Sequence, residues 1–220
     1  METTLTTEYE KKEVKISAEK KTWILIISLA LCAAFFFYLC ITPRTYHLFS
    51  WICLIPFFYA CLLPENLASN KKRFFTGLIC GFTINMVLFN WVGTTLIYYS
   101  GFTGSFIQIS SLIGHVIFSA LSGTFHGTIA LALPYTKNTW PKTWGLIISC
   151  FFVLMEYVFP FVFPWNIGVT QVNFPPIFQF ASVFGIYGIS FLVVFINTVI
   201  FNCFESFRVK SPFPKWSVII

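Results

Sequence analysis

The sequence predicts an all-α fold, a polytopic transmembrane helix bundle of about six spans with the start of a seventh at its carboxyl end. Three observations predict it. Only 10% of the 220 residues are charged while 57% are hydrophobic, against about 25% charged in a soluble domain. Several apolar runs reach the roughly 20 residues that a helix needs to cross a ~30 Å hydrocarbon layer. The basic residues are sorted onto alternate connections between those runs.

The spans read as 22–41, 47–63, 74–99, 105–134, 143–160 and 178–204. Lys11, Lys12, Lys15, Lys20 and Lys21 precede the first span. Lys71, Lys72 and Arg73 follow the second, Lys137 and Lys142 the fourth, and Arg208, Lys210 and Lys215 the sixth. Only Arg44 falls on the other side, so one side collects thirteen of the fourteen basic residues. Lys and Arg in short loops favour the cytoplasmic side. Both ends are therefore expected in the cytoplasm and the 160–178 connection outside. The first apolar stretch exceeds the usual 7–15 residues of a signal peptide, and Thr42–Pro43–Arg44 is not a small-residue cleavage site, so it reads as a retained anchor.

Residues 1–21 are polar and mixed in charge, and read as a disordered cytoplasmic lead-in to a bundle over 22–206. Pro43 in "TPRTYH" predicts a tight reversal between the first two spans. Two glycines in "GFTGS" suit a turn between the third and fourth. Trp140 and Trp144, in "TWPKTW", are expected at headgroup depth. Gly77 and Gly81, at i and i+4, predict close approach of a neighbouring helix. Residues 207–220 read as a basic inner loop and the start of a further helix.

Few residues could carry chemistry. The chain has no Asp, and of eight Glu only Glu156 lies inside a span, so a membrane carboxylate pair for acid–base catalysis is excluded. No serine-hydrolase elbow, zinc-protease motif, phosphate loop or dinucleotide fingerprint is present. All seven Cys lie in or beside apolar runs without metal spacing and read as small apolar residues. No cofactor, metal or nucleic-acid partner is expected. His115 and His126 share a face of one helix; they read as helix-interface histidines, with a proton relay weakened by the lack of matching carboxylates. Glu156 reads either as an anchor for the outer loop or a ligand headgroup, or as a neutral residue without a specific role. Asn90 and Trp91 read as an interhelical hydrogen-bonding amide beside an interfacial ring, or as direct ligand contacts.

The stretch "FPWNIGVTQVNFPP", 163–176, combines three Pro with Trp, Asn, Gln and Thr and has no charged residue. Non-helical backbone at membrane depth must be satisfied by protein or trapped water, and this loop is expected to lie in the headgroup layer at the rim of the bundle.

"FPWNIGVTQ", with an upstream "MEYVFPFVFPW" and a downstream "GIYGISFLVVFIN", resembles bacterial apolipoprotein N-acyltransferases. The "WPKTW" loop, the Gly-rich run ending in Asn90–Trp91 and the Pro turn after the first helix follow the same order, and the similarity covers most of 22–215. The resemblance implies a membrane domain joined to an extracytoplasmic nitrilase-like domain. It implies acyl transfer from a phospholipid to the amino-terminal Cys of a diacylglyceryl lipoprotein, through a Cys thioester supported by a Glu and a Lys. No nitrilase-like stretch is present in these 220 residues, and Trp216–Ile220 read as the first turn of the helix that leads to it. The chain is thus expected to be the membrane half, holding lipid substrates with Asn90, Trp91, Glu156, Phe163, Pro164, Trp165 and Gln171 at its outer rim and with no catalytic residue of its own. Its expected partners are membrane phospholipid and lipoprotein substrates and a separate nitrilase-like chain. A gene fragment, a subunit of a split enzyme and a relic remain open, as does a small transporter or accessory scaffold.

Overall fold

A computed structural model describes residues 2–41, 45–67, 69–101 and 104–209. Helices α1 (Glu2–Ile41), α4 (Asn70–Leu88), α5 (Asn90–Ser100), α6 (Ser105–Thr139), α7 (Trp144–Val158) and α9 (Ala181–Val209) make the bundle. Short pieces join them: a 3-10 helix at Thr45–Trp51, α2 (Ile55–Cys61), α3 (Pro64–Leu67), a second 3-10 helix at Ile167–Gln171, and α8 (Pro175–Phe178). Among the described residues there is no strand. The Pro43 reversal and the helix start at Trp216–Ile220 lie outside them.

Three helices are long and apolar enough to cross a bilayer, over Ile16–Ile41, Ser105–Thr139 and Ala181–Arg208, and the α4–α5 pair passes the same test as one broken span. The apolar segments His47–Cys61 and Trp144–Val158 are shorter. The polar lead-in, expected to lack regular structure, is helical from Glu2 as an extension of α1. Its Glu- and Lys-rich composition has strong helix propensity.

Three of the expected continuous spans are broken. The second is a 3-10 helix, turns at 52–54 and then α2, whose Pro56 stands in its first turn. Pro56 has no N–H to donate, and its ring clashes with the preceding carbonyl turn. The third bends by 48° between α4 and α5. The sixth is interrupted at Gly185, where φ is 66° and ψ −179°, a backbone conformation that side-chain-bearing residues rarely adopt.

The α4–α6 pair is the most extensively packed in the bundle, and the glycines explain how. A Cβ on Gly77 would sit 2.5 Å from Ala130 Cβ and from the His126 carbonyl, and one on Gly81 2.8 Å from the Gly123 carbonyl. The expected close approach is therefore present. Phe57, Phe58, Ile84, Ile129, Leu133 and Ile148 fill the core that this seam and α2 enclose. Gly101 and Gly104, both at positive φ, flank the α5–α6 turn.

Charge separates the two ends. At one end Lys72 pairs with Glu19 at 2.7 Å and Lys137 with Glu205 at 2.5 Å, while Arg208 reaches the Tyr59 hydroxyl. Lys137 also stands 5.0 Å above the Phe201 ring and 5.6 Å above Trp144. Trp140 is exposed, but Trp144, expected at headgroup depth, is buried. Its indole N–H donates to Asn202 Oδ1 at 3.2 Å and its ring packs edge-on against Phe58 and Phe201. The opposite end carries the uncharged loop.

Candidate functional site

After α7 the backbone turns extended at Phe159 (φ −67°, ψ 131°), and the chain runs through Pro160 and Pro164 without helix until Ile167. A 3-10 helix in this position exposes its first N–H groups, and a side chain from each neighbouring helix answers them. Glu156 Oε1 accepts from the Ile167 N–H at 2.8 Å, and Oε2 accepts from Asn166 Nδ2 at 3.2 Å. Ser190 Oγ of α9 accepts from the Gly168 N–H at 3.0 Å, and its own hydroxyl donates to Glu156. Glu156 is thus a buried hub with three donors.

The glycine at 168 follows from the same packing. A Cβ there would lie 2.7 Å from the Ile186 carbonyl and 3.0 Å from the Ser190 nitrogen, so the loop rests directly on the α9 backbone just beyond the Gly185 break. At the far end of the turn, Gln171 is fully buried and its Nε2 donates to the His47 carbonyl at 3.0 Å and to the Ser50 hydroxyl. His47 stacks on Phe174, centroids 4.8 Å apart and planes within 13°. One layer deeper, Asn197 mends the broken second span. Its Oδ1 accepts from the Leu54 N–H at 2.9 Å and its Nδ2 donates to the Ser50 carbonyl at 2.7 Å. Side-chain amide here replaces the missing helical ladder, as backbone inside a bilayer requires.

The seven residues singled out from the sequence fall into two groups. Asn90, Trp91, Phe163 and Pro164 are exposed. Trp91 and Phe163 meet at 5.3 Å, and Phe163 rests on Phe118 at 5.6 Å, forming an aromatic ledge beside the loop. Trp165 is half-buried and tilts against Phe37 of α1 at 6.0 Å. Glu156 and Gln171 point inward and hold the loop down. The loop therefore does not float at the rim as a whole, because Ile167, Gly168, Thr170 and Gln171 are all buried. The amide buried in α4 is Asn85, which donates to the Gly81 carbonyl at 2.8 Å, whereas Asn90 faces outward. Sequence reasoning missed Asn85, Asn197 and Ser190; each is a polar residue inside an apolar run, and that was the available signal.

His115 and His126 are both buried on one face of α6. The His126 ring contacts Phe57 and Phe125 edge-on at 5.5 Å and 5.1 Å. Among the described residues no group of three His, Cys, Asp or Glu side chains is placed to hold a metal ion. The arrangement supplies hydrogen bonds, apolar walls and aromatic edges, which suit binding and positioning.

Comparison with known proteins agrees with that character. Residues 21–199 match the family described as the apolipoprotein N-acyltransferase N-terminal domain. An apolipoprotein N-acyltransferase of Geobacter metallireducens is 27% identical over 179 residues, which is 78% of this chain and 32% of that protein. Apolipoprotein N-acyltransferase 2 of Leptospira interrogans is 25% identical over 184 residues, covering 84% of this chain and 30% of the relative. The chain spans less than a third of the length of these relatives. The family match over most of its length shows that this α-helical membrane bundle belongs to the apolipoprotein N-acyltransferase N-terminal domain family.

Proposed function

We propose that the chain is the lipid-holding membrane portion of an apolipoprotein N-acyltransferase, acting in lipoprotein maturation. The observation that carries this reading is the uncharged end. There a polar loop is anchored into the bundle on Glu156 and Gln171, leaving the Trp91–Phe163 ledge exposed beside it. Amphipathic rings of this kind favour the bilayer interface. The exposed rings can order an acyl chain there while the headgroup stays in the polar layer.

In this reading Asn90, Trp91, Phe163 and Pro164 contact phospholipid or the diacylglyceryl group of a lipoprotein. Trp165, Glu156 and Gln171 hold the loop in place. The acyl transfer itself needs a thiolate, which serves both as nucleophile and as leaving group in a thioester, together with a base and donors for the oxyanion. We assign that chemistry to a nitrilase-like catalytic part, on this or a separate chain, and none of it to the side chains described here. The ends of the bundle orient it, with the Lys72 and Lys137 end in the cytoplasm and the loop on the outer face of a bacterial inner membrane.

The test is a photoactivatable phospholipid incorporated into vesicles with the purified 220-residue chain. Labelling is expected to concentrate on Trp91 and Phe163 over Trp140 at the charged end; even labelling of both ends would overturn the assignment. Reporter fusion at Val169 is expected to place it outside the cytoplasm. Acylation of a lipopeptide by this chain alone would overturn the division of labour. Broken helices also occur in transporters, but here Asn197 bridges the break in the second span, binding the Leu54 N–H and the Ser50 carbonyl.

A further inference from the structure

At the charged end, α1, α3 and the start of α4 border a pocket of about 230 Å³ lined by Glu19, Thr22, Trp23, Ile26, Asn66 and Lys72. A single water needs roughly 10–15 Å³, so this space takes a small organic group. Its wall changes character with depth. Glu19 and Lys72 form the rim, 2.7 Å apart and 49% and 43% exposed. Asn66 is buried, and its Nδ2 donates to the Ala60 carbonyl at 2.8 Å. Trp23 is half-buried and Ile26 fully buried. From Glu19 to Ile26 the helix descends about 10 Å, passing from a charged pair to apolar surface. Trp23, Ile27 and Leu31 are spaced by four residues and share one ridge of α1. Ile27 and Leu31 are both exposed, so an apolar strip continues from Trp23 away from the charged end.

Two features of the rim favour a ligand of mixed charge. Lys71, Lys72 and Arg73 stand in the first turn of α4 with no acidic residue among them. The partial positive charge of a helix start disfavours cations and favours an anion such as phosphate. The second feature is the pair itself. An exposed ion pair contributes little to stability, so Lys72 and Glu19 separate at small cost. A group carrying both charges then replaces one pair with two. A plain anion would meet Glu19, and a plain cation would meet the three basic residues of α4.

We propose that this pocket seats the headgroup of a phospholipid from the leaflet at the charged end, one that carries both a phosphate and an ammonium group. Lys72 Nζ donates to the phosphate, and the Glu19 carboxylate accepts from the ammonium. The Trp23 ring lies at the depth of the glycerol esters, where amphipathic rings favour the interface. One acyl chain follows Ile27 and Leu31 down α1. The lipid binds without any covalent step and ties α1 to the start of α4. This site is at the opposite end of the bundle from the Trp91–Phe163 ledge, and it stands whether or not lipid is held there.

The test uses the intact chain in vesicles and a phosphatidylethanolamine probe with a diazirine at the top of one acyl chain. Crosslinks are expected on the peptide bearing Trp23 several-fold more than on that bearing Trp140, which is exposed at the same end and outside the pocket. A phosphatidylglycerol probe with the same chains should label Trp23 several-fold less. Glu19→Gln should erase that preference, and Lys72→Ala should lower labelling by both probes. Neither side chain belongs to the core, so both variants report on binding in a folded chain. Equal labelling of Trp23 and Trp140, equal labelling of Trp23 by the two probes, or a preference that survives Glu19→Gln would each overturn the proposal. Loss of labelling on adding soluble phosphoethanolamine would assign the pocket to a free aminophosphate and overturn the lipid assignment, since the tail along α1 should hold the lipid against it.

Discussion

At the charged end of the bundle Glu205 meets Lys137 at 2.5 Å and Glu19 meets Lys72 at 2.7 Å, with all four side chains between a quarter and a half exposed. At the other end Glu156 is buried and takes neutral donors from Ile167, Asn166 and Ser190. The same side-chain type therefore does two different jobs. Partly exposed pairs contribute little, typically 0–1 kcal/mol, because solvent screens them and two long side chains must be ordered. A buried acceptor is different. Its removal leaves donors without partners in a medium that offers none. Charge marks one end of this molecule, whereas uncharged hydrogen bonding shapes the other.

That contrast can be broken by substitution. Glu156→Leu is expected to be the most damaging change, costing about 3 kcal/mol or more as it orphans three donors. Thermal unfolding in detergent should show a collapsed transition, and Glu156→Gln, which keeps one acceptor, should recover part of it. Asn197→Leu comes next, at about 2 kcal/mol, since the Leu54 N–H loses its partner and the Ser50 carbonyl keeps only the weak Cys53 thiol donor. Limited proteolysis should then cut near residues 52–54 before the rest of the chain.

Lys137→Ala is expected to cost about 1 kcal/mol, the ion pair and the cation–π contacts with Trp144 and Phe201 together. The loss should shrink with added salt. Lys72→Ala should shift stability by no more than about 0.5 kcal/mol, since its pair with Glu19 is the more exposed of the two. If Lys72→Ala matched Glu156→Leu in the same melt, the distinction between the ends would fail.

The sequence made the bundle legible because composition and charge sorting are summed over many residues, and bilayer thickness limits the answers. Gly77 and Gly81 were legible for a local reason, since small residues at i and i+4 lie on one helix face. Glu156 stood out as the only carboxylate in a span, and one of its two readings, an anchor for the loop, has its physical partners in Ile167 and Asn166. The breaks were harder. Pro56 carried a signal for the second span, but the residue that repairs it, Asn197, lies more than 140 positions away in the chain, beyond any periodicity argument. Gln171 is expected at the rim along with the rest of its uncharged loop. Its partners His47 and Ser50 come from a different span and draw it inside. Trp144 went the same way, drawn in by Asn202 and the rings of Phe58 and Phe201.

Helix α6 has a consequence for the lipid around it. Its 35 residues extend about 52 Å at 1.5 Å per residue, well beyond a ~30 Å hydrocarbon slab. Phe106, Ile109, Leu112 and Ile113 near its start are more than half exposed, so the overhang is oily rather than water-loving. Tilt or local thickening of the membrane must absorb that mismatch, and either one deforms the leaflet beside α5 and α6. Nearby lipids would then be stretched or splayed, and the protein's enrichment should follow acyl length in mixed-thickness bilayers.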